Sequence, residues 1–221
     1  MFLADKQLFP PSYLNLMQQD RATYQSSGRG ELDYHDFAVK LVDHYAQGLK
    51  GQKAEDVGSL SPGFLHAALE GHIDGYRIHS FARELVELMN PIATTVAISG
   101  SPRESLSGLT AYLDFQEVHA TLLEVRQGTF TGRVDRNLAI RESKNHLVSS
   151  FLTSEIDLKT SFAFGDSVQD VPLLEIVGNA FVLGENQELR NIGWTKGWQV
   201  ITAQEDVVSI VRERIAGLFG V

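Results

Sequence analysis

Residues 161–175 read SFAFGDSVQDVPLLE, and the division of this stretch decides the fold. Ser161–Gly165 is a short apolar run with two phenylalanines, the composition of a buried strand, and Asp166 follows its end. A second acid, Asp170, comes four residues after the first and falls in the first turn of the next predicted helix. A strand passing directly into a helix is one repeat of an open α/β sheet. In such sheets ligands bind beyond the carboxyl ends of the strands, so residues at strand ends are the candidates for chemistry.

Outward from this stretch, TTVAIS (94–99), AFVLG (180–184) and WQVIT (198–202) are further short β-branched or aromatic runs separated by helical patterns. That alternation predicts a parallel sheet flanked by helices from Pro91 onward. TLLEVRQGTFTGRV (121–134) has Gln-Gly between alternating apolar residues, which predicts a β-hairpin protruding from the core. The first third reads differently. PSYLNLMQQDRATY, DYHDFAVKLVDHYAQGL, SPGFLHAALEGHI and RIHSFARELVELM space their apolar residues on one helical side. The expected break lies near Gly71–Arg77, giving an all-helical unit over 1–75 and an α/β core over 76–221.

Composition narrows the function. A formal charge of −9 and a pI near 5.2 repel a phosphate backbone, and Lys and Arg form no cluster, so nucleic acid is excluded as a partner. With no cysteine there is neither a disulfide framework nor a thiolate metal site, which fits a cytoplasmic location. The N-terminus does not read as a signal peptide, and no apolar run approaches the ~20 residues of a membrane span.

Three sets of strand-end or helical residues carry candidate chemistry. Ser99, Gly100 and Ser101 follow TTVAI and precede a helix start. They offer a hydroxyl, close backbone approach and anion-attracting amides, while Ser101 alone also reads as an N-cap. Asp166 and Asp170 are hard oxygen donors suited to Mg²⁺, the first binding directly and the second orienting a metal-bound water. The same two residues also read as a strand end and a favourable helix-start charge. Lys144 lies in the predicted helix IRESKNHLVSSFL, where a single lysine is ordinarily solvated. Five histidines of the helical third are too scattered for a metal site. Arg103 reads as a solvated helix-start residue, and Trp194 and Trp198 read as packing.

In order, strand-Ser-Gly, hairpin, helical Lys and strand-Gly-Asp-x-x-x-Asp resemble motifs two, three and four of the haloacid dehalogenase superfamily. QGTFTGRV and the cap-like GRGELDYHDFAVKLV are similar to its phosphoserine-phosphatase-like branch, subfamily IB. The resemblance runs from about Leu3 to Ile201. It implies a Rossmannoid parallel sheet with an N-terminal helical cap, and a Mg²⁺-dependent phosphomonoester hydrolase acting on a small phosphorylated metabolite. Ser99 and the Gly100 amide would hold phosphoryl oxygens, Lys144 would neutralise phosphate charge, Asp166 would ligate Mg²⁺ and Asp170 would support the metal site.

The family's nucleophile is the first Asp of an Asp-x-Asp at the end of a first, central strand, and no Asp-x-Asp occurs in this chain. In FLADKQLF, Asp5 could stand for the second acid, but Leu3 would then occupy the nucleophile position; the stretch better matches the start of the cap. A missing strand of about six residues forfeits on the order of 10 kcal/mol of burial, comparable with the ~5–15 kcal/mol stability of a whole domain. The expectation is therefore that Met1 is internal to a longer parent, or that the gene has decayed. A non-catalytic phosphate- and metal-binding or regulatory protein is the alternative function.

Overall fold

The computed structural model describes residues 8–26, 31–72, 78–153, 155–202 and 206–220. Leu3 and Asp5, and most of the expected break at 71–77, lie outside them. The chain forms two compact units, Met1–Val86 with Thr94–Ile140 and Glu87–Ala93 with Arg141–Val221.

The first unit opens with helices α1 (Pro11–Ser26), α2 (Glu31–Gly48), α3 (Ala54–Gly58) and α4 (Ser61–Leu69). Val42, Ala46 and Leu49 recur at helical spacing on and just past α2 and are buried. They pack with Phe9, Val57, Leu123 and Phe130 into one apolar cluster. Phe81–Met89 forms α5. Strand β1 (Val96–Pro102) then pairs in parallel with β2 (Glu117–Arg126) through the crossover helix α6 (Arg103–Leu113), and β2 turns back antiparallel into β3 (Thr129–Arg136).

The hairpin is the one expected from Gln-Gly. Arg126 pairs with Thr129, and the two residues between them, Gln127 at φ 49° and Gly128 at φ 75°, are both left-handed as a two-residue primed turn requires. The segment leaving α2 runs along the hairpin. Gly51 N donates to Phe130 O, Phe130 N to Gln52 O and Ala54 N to Gly128 O, all at 2.9–3.0 Å. The helical third is thus tied to the hairpin by main-chain bonds as well as by apolar packing.

In the second unit α7 (Arg141–Leu152) precedes β4 (Phe162–Gly165). A 3₁₀ turn (Val168–Asp170), α8 (Val171–Ile176), β5 (Asn179–Val182), α9 (Gln187–Lys196), β6 (Gln199–Val200) and α10 (Val207–Phe219) follow. The strands pair in parallel in the order β4-β5-β6. Ala163, Ala180 and Val182 from the sheet join Val171, Leu174 and Leu189 from the helices in a second buried cluster. Trp198 packs against that cluster as expected, but Trp194 does not: 58% of it is exposed, on the solvent side of α9. Among the described residues, β1 and β4 are each the edge of their own three-stranded sheet, and no helix is long and apolar enough to cross a membrane.

Candidate active site

At the end of β4 the chain closes on itself through one carboxylate. Asp170 Oδ2 accepts from the amides of Asp166 and Ser167 and from Ser167 Oγ, each at 3.1 Å, forming a capping box with Ser167. Its other oxygen, Oδ1, accepts from Lys144 Nζ at 2.8 Å. Both side chains of this ion pair are largely buried, Lys144 at 12% and Asp170 at 16% exposure. Lys144 is therefore not the solvated residue that helical lysines ordinarily are: the first half of α7 delivers its ammonium to the β4 loop.

The turn is tight enough to require glycine at position 165. A Cβ there would lie 2.6 Å from the Cβ of Asp170, so a side chain would push the carboxylate off the amides it caps. Asp166 itself is exposed at the strand end. On its flank is Gly184, whose φ of +76° favours glycine; a Cβ built there would meet that of Asp166 at 3.7 Å, an ordinary contact. The Gly184 carbonyl is held by Arg190, whose Nε and Nη2 donate to it at 2.9 and 2.5 Å. Gly184 and Arg190 were not singled out above. The signal for them is a glycine directly after a strand and an arginine one helical turn past the Asn186 cap in GENQELR.

These donors fit a hard cation in part. Mg²⁺ is ordinarily held by one or two carboxylates together with waters and phosphate, and Asp166 supplies one carboxylate at the strand end. Asp170, with both oxygens engaged by protein donors, is built to position the loop and Lys144. Among the described residues no group of three or more His, Asp or Glu gathers for a metal. His66 and His72 both pair with the exposed Glu70, at 3.1 and 3.3 Å, and His44 pairs with Asp20 at 2.8 Å.

In the first unit the Ser-Gly segment is a bulge within β1 and not a loop beyond it. Ile98 pairs with His119 and Pro102 with Thr121, so Ser99, Gly100 and Ser101 stand opposite Ala120 alone. Ser99 Oγ accepts from the Ser101 amide at 3.1 Å. Pro102, not Ser101, is the N-cap of α6, and no side chain caps that helix start.

The bulge is clamped by Thr121, a fully buried residue on β2. Its hydroxyl donates to Gly100 O at 2.7 Å and accepts from the Leu138 amide at 3.0 Å, using both capacities of the group. Gly100 also has no room for a side chain, since a Cβ would come within 2.7 Å of Ala139 Cα. Arg103 is exposed. Thr121 is the positioning residue that sequence reasoning missed; its only trace is a hydroxyl in the otherwise apolar run ATLL (120–123).

Comparison with known proteins follows the same lines. Over 126 residues the chain is 29% identical to the phosphoserine phosphatase SerB1 of Mycobacterium tuberculosis, covering 56% of this chain and 41% of that one. Over 186 residues it is 26% identical to the inhibition of morphological differentiation protein of Streptomyces azureus, covering 83% and 64%. The chain thus spans less than two thirds of either relative. A solved phospho-aspartyl intermediate analogue of phosphoserine phosphatase superposes with a TM-score of 0.59 over 92% of this chain and 88% of that one; at 16% identity the likeness concerns the fold. The family model for haloacid dehalogenase-like hydrolases matches residues 27–175, which hold the Ser-Gly bulge, Lys144, Asp166 and Asp170, and the chain belongs to that family.

Proposed function

We propose that this chain is the phosphate-handling part of a Mg²⁺-dependent phosphomonoester hydrolase acting on a small phosphorylated metabolite in the cytoplasm. Residues 1–75 serve as its cap and 76–221 as its core. The observation that carries this reading is the network in which Lys144 and the Asp166–Ser167 amides meet on one buried carboxylate, Asp170. Such a network keeps an ammonium and a strand-end carboxylate in fixed positions, and phosphoryl transfer depends mainly on positioning and on stabilising charge at the equatorial oxygens.

In this reading the Ser99 hydroxyl and the Gly100 amide donate to phosphoryl oxygens, and Thr121 keeps the bulge in the shape that presents them. Lys144 neutralises phosphate charge while Asp170 holds it there. Asp166 is the direct ligand of Mg²⁺, which when bound supplies further neutralisation of the phosphoryl oxygens.

The absence of Asp-x-Asp favours a second reading. Without that carboxylate the chain has no aspartyl group to attack phosphorus at the family's position, and it would bind phosphate and metal without turning substrate over. Hydrolysis of 4-nitrophenyl phosphate with Mg²⁺, controlled by Ser99→Ala and Asp166→Asn, separates the two. Turnover lost in both variants supports a hydrolase complete in this chain. Thermal stabilisation by orthophosphate without turnover supports the binding protein. A chain that shows no turnover and no stabilisation by orthophosphate overturns the phosphate-site reading.

A further inference from the structure

The chain leaving β5 is fastened twice beside Asp166. Gly165 and Val182 are the last paired residues of β4 and β5, and one more bond follows them: Leu183 N donates to Gly165 O at 2.8 Å. That bond sets Asp166 and Gly184 next to each other, just past the carboxyl ends of two neighbouring parallel strands. A Cβ built on Gly184 would touch that of Asp166 at 3.7 Å, so the Gly184 backbone stands beside the base of the Asp166 side chain.

The second fastening is Arg190. Its Nε and Nη2 both donate to the Gly184 carbonyl, at 2.9 and 2.5 Å, which engages both lone pairs of that oxygen. The Arg190 amide donates to Asn186 O at 3.0 Å, and Asn186 Oδ1 caps α9 by accepting from Leu189 N at 2.9 Å. The guanidinium therefore reaches back from an anchored first turn of helix to the residue that flanks Asp166. Gly184 needs such a restraint. Its φ of +76° is one that glycine adopts freely, and glycine leaves it as freely. Hydrogen bonds from a charged donor are roughly twice as strong as neutral ones, and two of them meet on this one carbonyl. Arg190 is half-buried, and among the described residues no carboxylate pairs with it.

We infer that Arg190 is a positioning residue for the cation site: by fixing the Gly184 peptide it holds the backbone against which Asp166 is oriented, and so sets the affinity of the chain for Mg²⁺. The inference rests on the reading of Asp166 as the Mg²⁺ ligand. Charge alone gives the opposite sign. A guanidinium near a divalent cation repels it, so an arginine acting only through its charge would weaken Mg²⁺ binding, and its removal would tighten it.

The test is isothermal titration of the full chain with Mg²⁺, and separately with orthophosphate in the absence of Mg²⁺. Arg190→Met is expected to raise the Mg²⁺ Kd about 10-fold, the lower end for residues that orient a metal ligand, with orthophosphate affinity unchanged. Arg190→Lys keeps the charge but has no planar fork, and its Mg²⁺ Kd is expected to fall between the two. Gly184→Ala disturbs the same peptide through its φ and is expected to weaken Mg²⁺ as well. Combined with Arg190→Met it should cost less than the product of the two effects, since both act through one carbonyl.

Unchanged or tighter Mg²⁺ binding in Arg190→Met overturns the inference. If that variant does not fold, unchanged Mg²⁺ affinity in both Arg190→Lys and Gly184→Ala overturns it instead. Equal losses of Mg²⁺ and orthophosphate affinity also overturn it, because they report a general loss of structure. Asp166→Asn is the control: Mg²⁺ binding that survives it overturns the reading of Asp166 on which the inference rests, a failure distinct from that of Arg190.

Discussion

The ammonium of Lys144 lies 2.8 Å from Asp170 Oδ1, across 26 positions of sequence, and both side chains are withdrawn from solvent. Removing one partner of such a pair leaves the other charge buried and under-satisfied, which is far more damaging than the net worth of the pair. Lys144→Met is therefore expected to destabilise the chain by about 3 kcal/mol in urea unfolding. Asp170→Leu is expected to lose more, because the Asp166 and Ser167 amides also lose their acceptor. The double variant should fall short of the sum by at least ~1 kcal/mol, the coupling of groups in direct contact. Strict additivity would mean that the pair does not hold the loop.

The clamp at the bulge makes a second, independent prediction. Thr121→Val keeps the shape but removes the donor to Gly100 O and the acceptor of the Leu138 amide, both in a residue with no exposure. Two buried groups left unpaired correspond to about 2–4 kcal/mol. Thr121→Ser keeps the hydroxyl and should recover most of that loss, apart from one buried methyl. Orthophosphate affinity is expected to fall in the valine variant and return in the serine variant. An unchanged affinity in Thr121→Val would separate the bulge from phosphate binding.

How far the sequence carries the fold depends on whether a feature is set locally. Gln127-Gly128 is legible because a two-residue hairpin needs two left-handed residues and few residue types accept that. Asp166 is legible because it directly follows a short apolar strand run, and Asp170 because the capping box it forms with Ser167 is a short-range device whose spacing is written in the chain. Lys144 is not legible alone, since a helix pattern cannot tell a solvated lysine from one that a distant carboxylate pulls inward. The same holds for the β1 bulge. Its extent through Pro102 depends on a hydroxyl from the neighbouring strand and on the backbone of Ala139, so the apolar run ending at Ile98 gives no hint of it. Trp194 misleads for the opposite reason: size and hydrophobicity predict burial, but α9 turns that position to solvent.

Gly165 tests the geometry of the β4 turn without touching charge. Gly165→Ala places a methyl 2.6 Å from the Asp170 Cβ, inside any contact that real side chains show, so the 3₁₀ turn must shift. Overpacking of this kind destabilises by roughly 1–3 kcal/mol. The expected signature is a lower urea midpoint together with weaker Mg²⁺-dependent thermal stabilisation, because the displaced carboxylate no longer fixes the Asp166 amide. A variant with wild-type stability would show that the turn is looser than its hydrogen bonds imply.

The buried carboxyl of Glu104 gives a pH dependence whose sign can be worked out. Burial raises its pKa above the ordinary value of 4.5, so the folded chain binds this proton more tightly than the unfolded chain does. Between the unfolded and folded pKa values the folded state therefore carries more protons, and stability falls as pH rises through that interval. Below it, Glu104 is neutral in both states and its contribution is level; above it, the group is ionised in both and the full loss is in place. Glu104→Gln removes the titration while keeping the shape. The stability of wild type relative to that variant is thus expected to decline as pH rises from about 4.5, other carboxyl groups cancelling in the difference. Urea midpoints for both proteins between pH 4 and 8 measure it. Parallel curves across the whole range would mean that this carboxyl is as well solvated in the fold as in the unfolded chain.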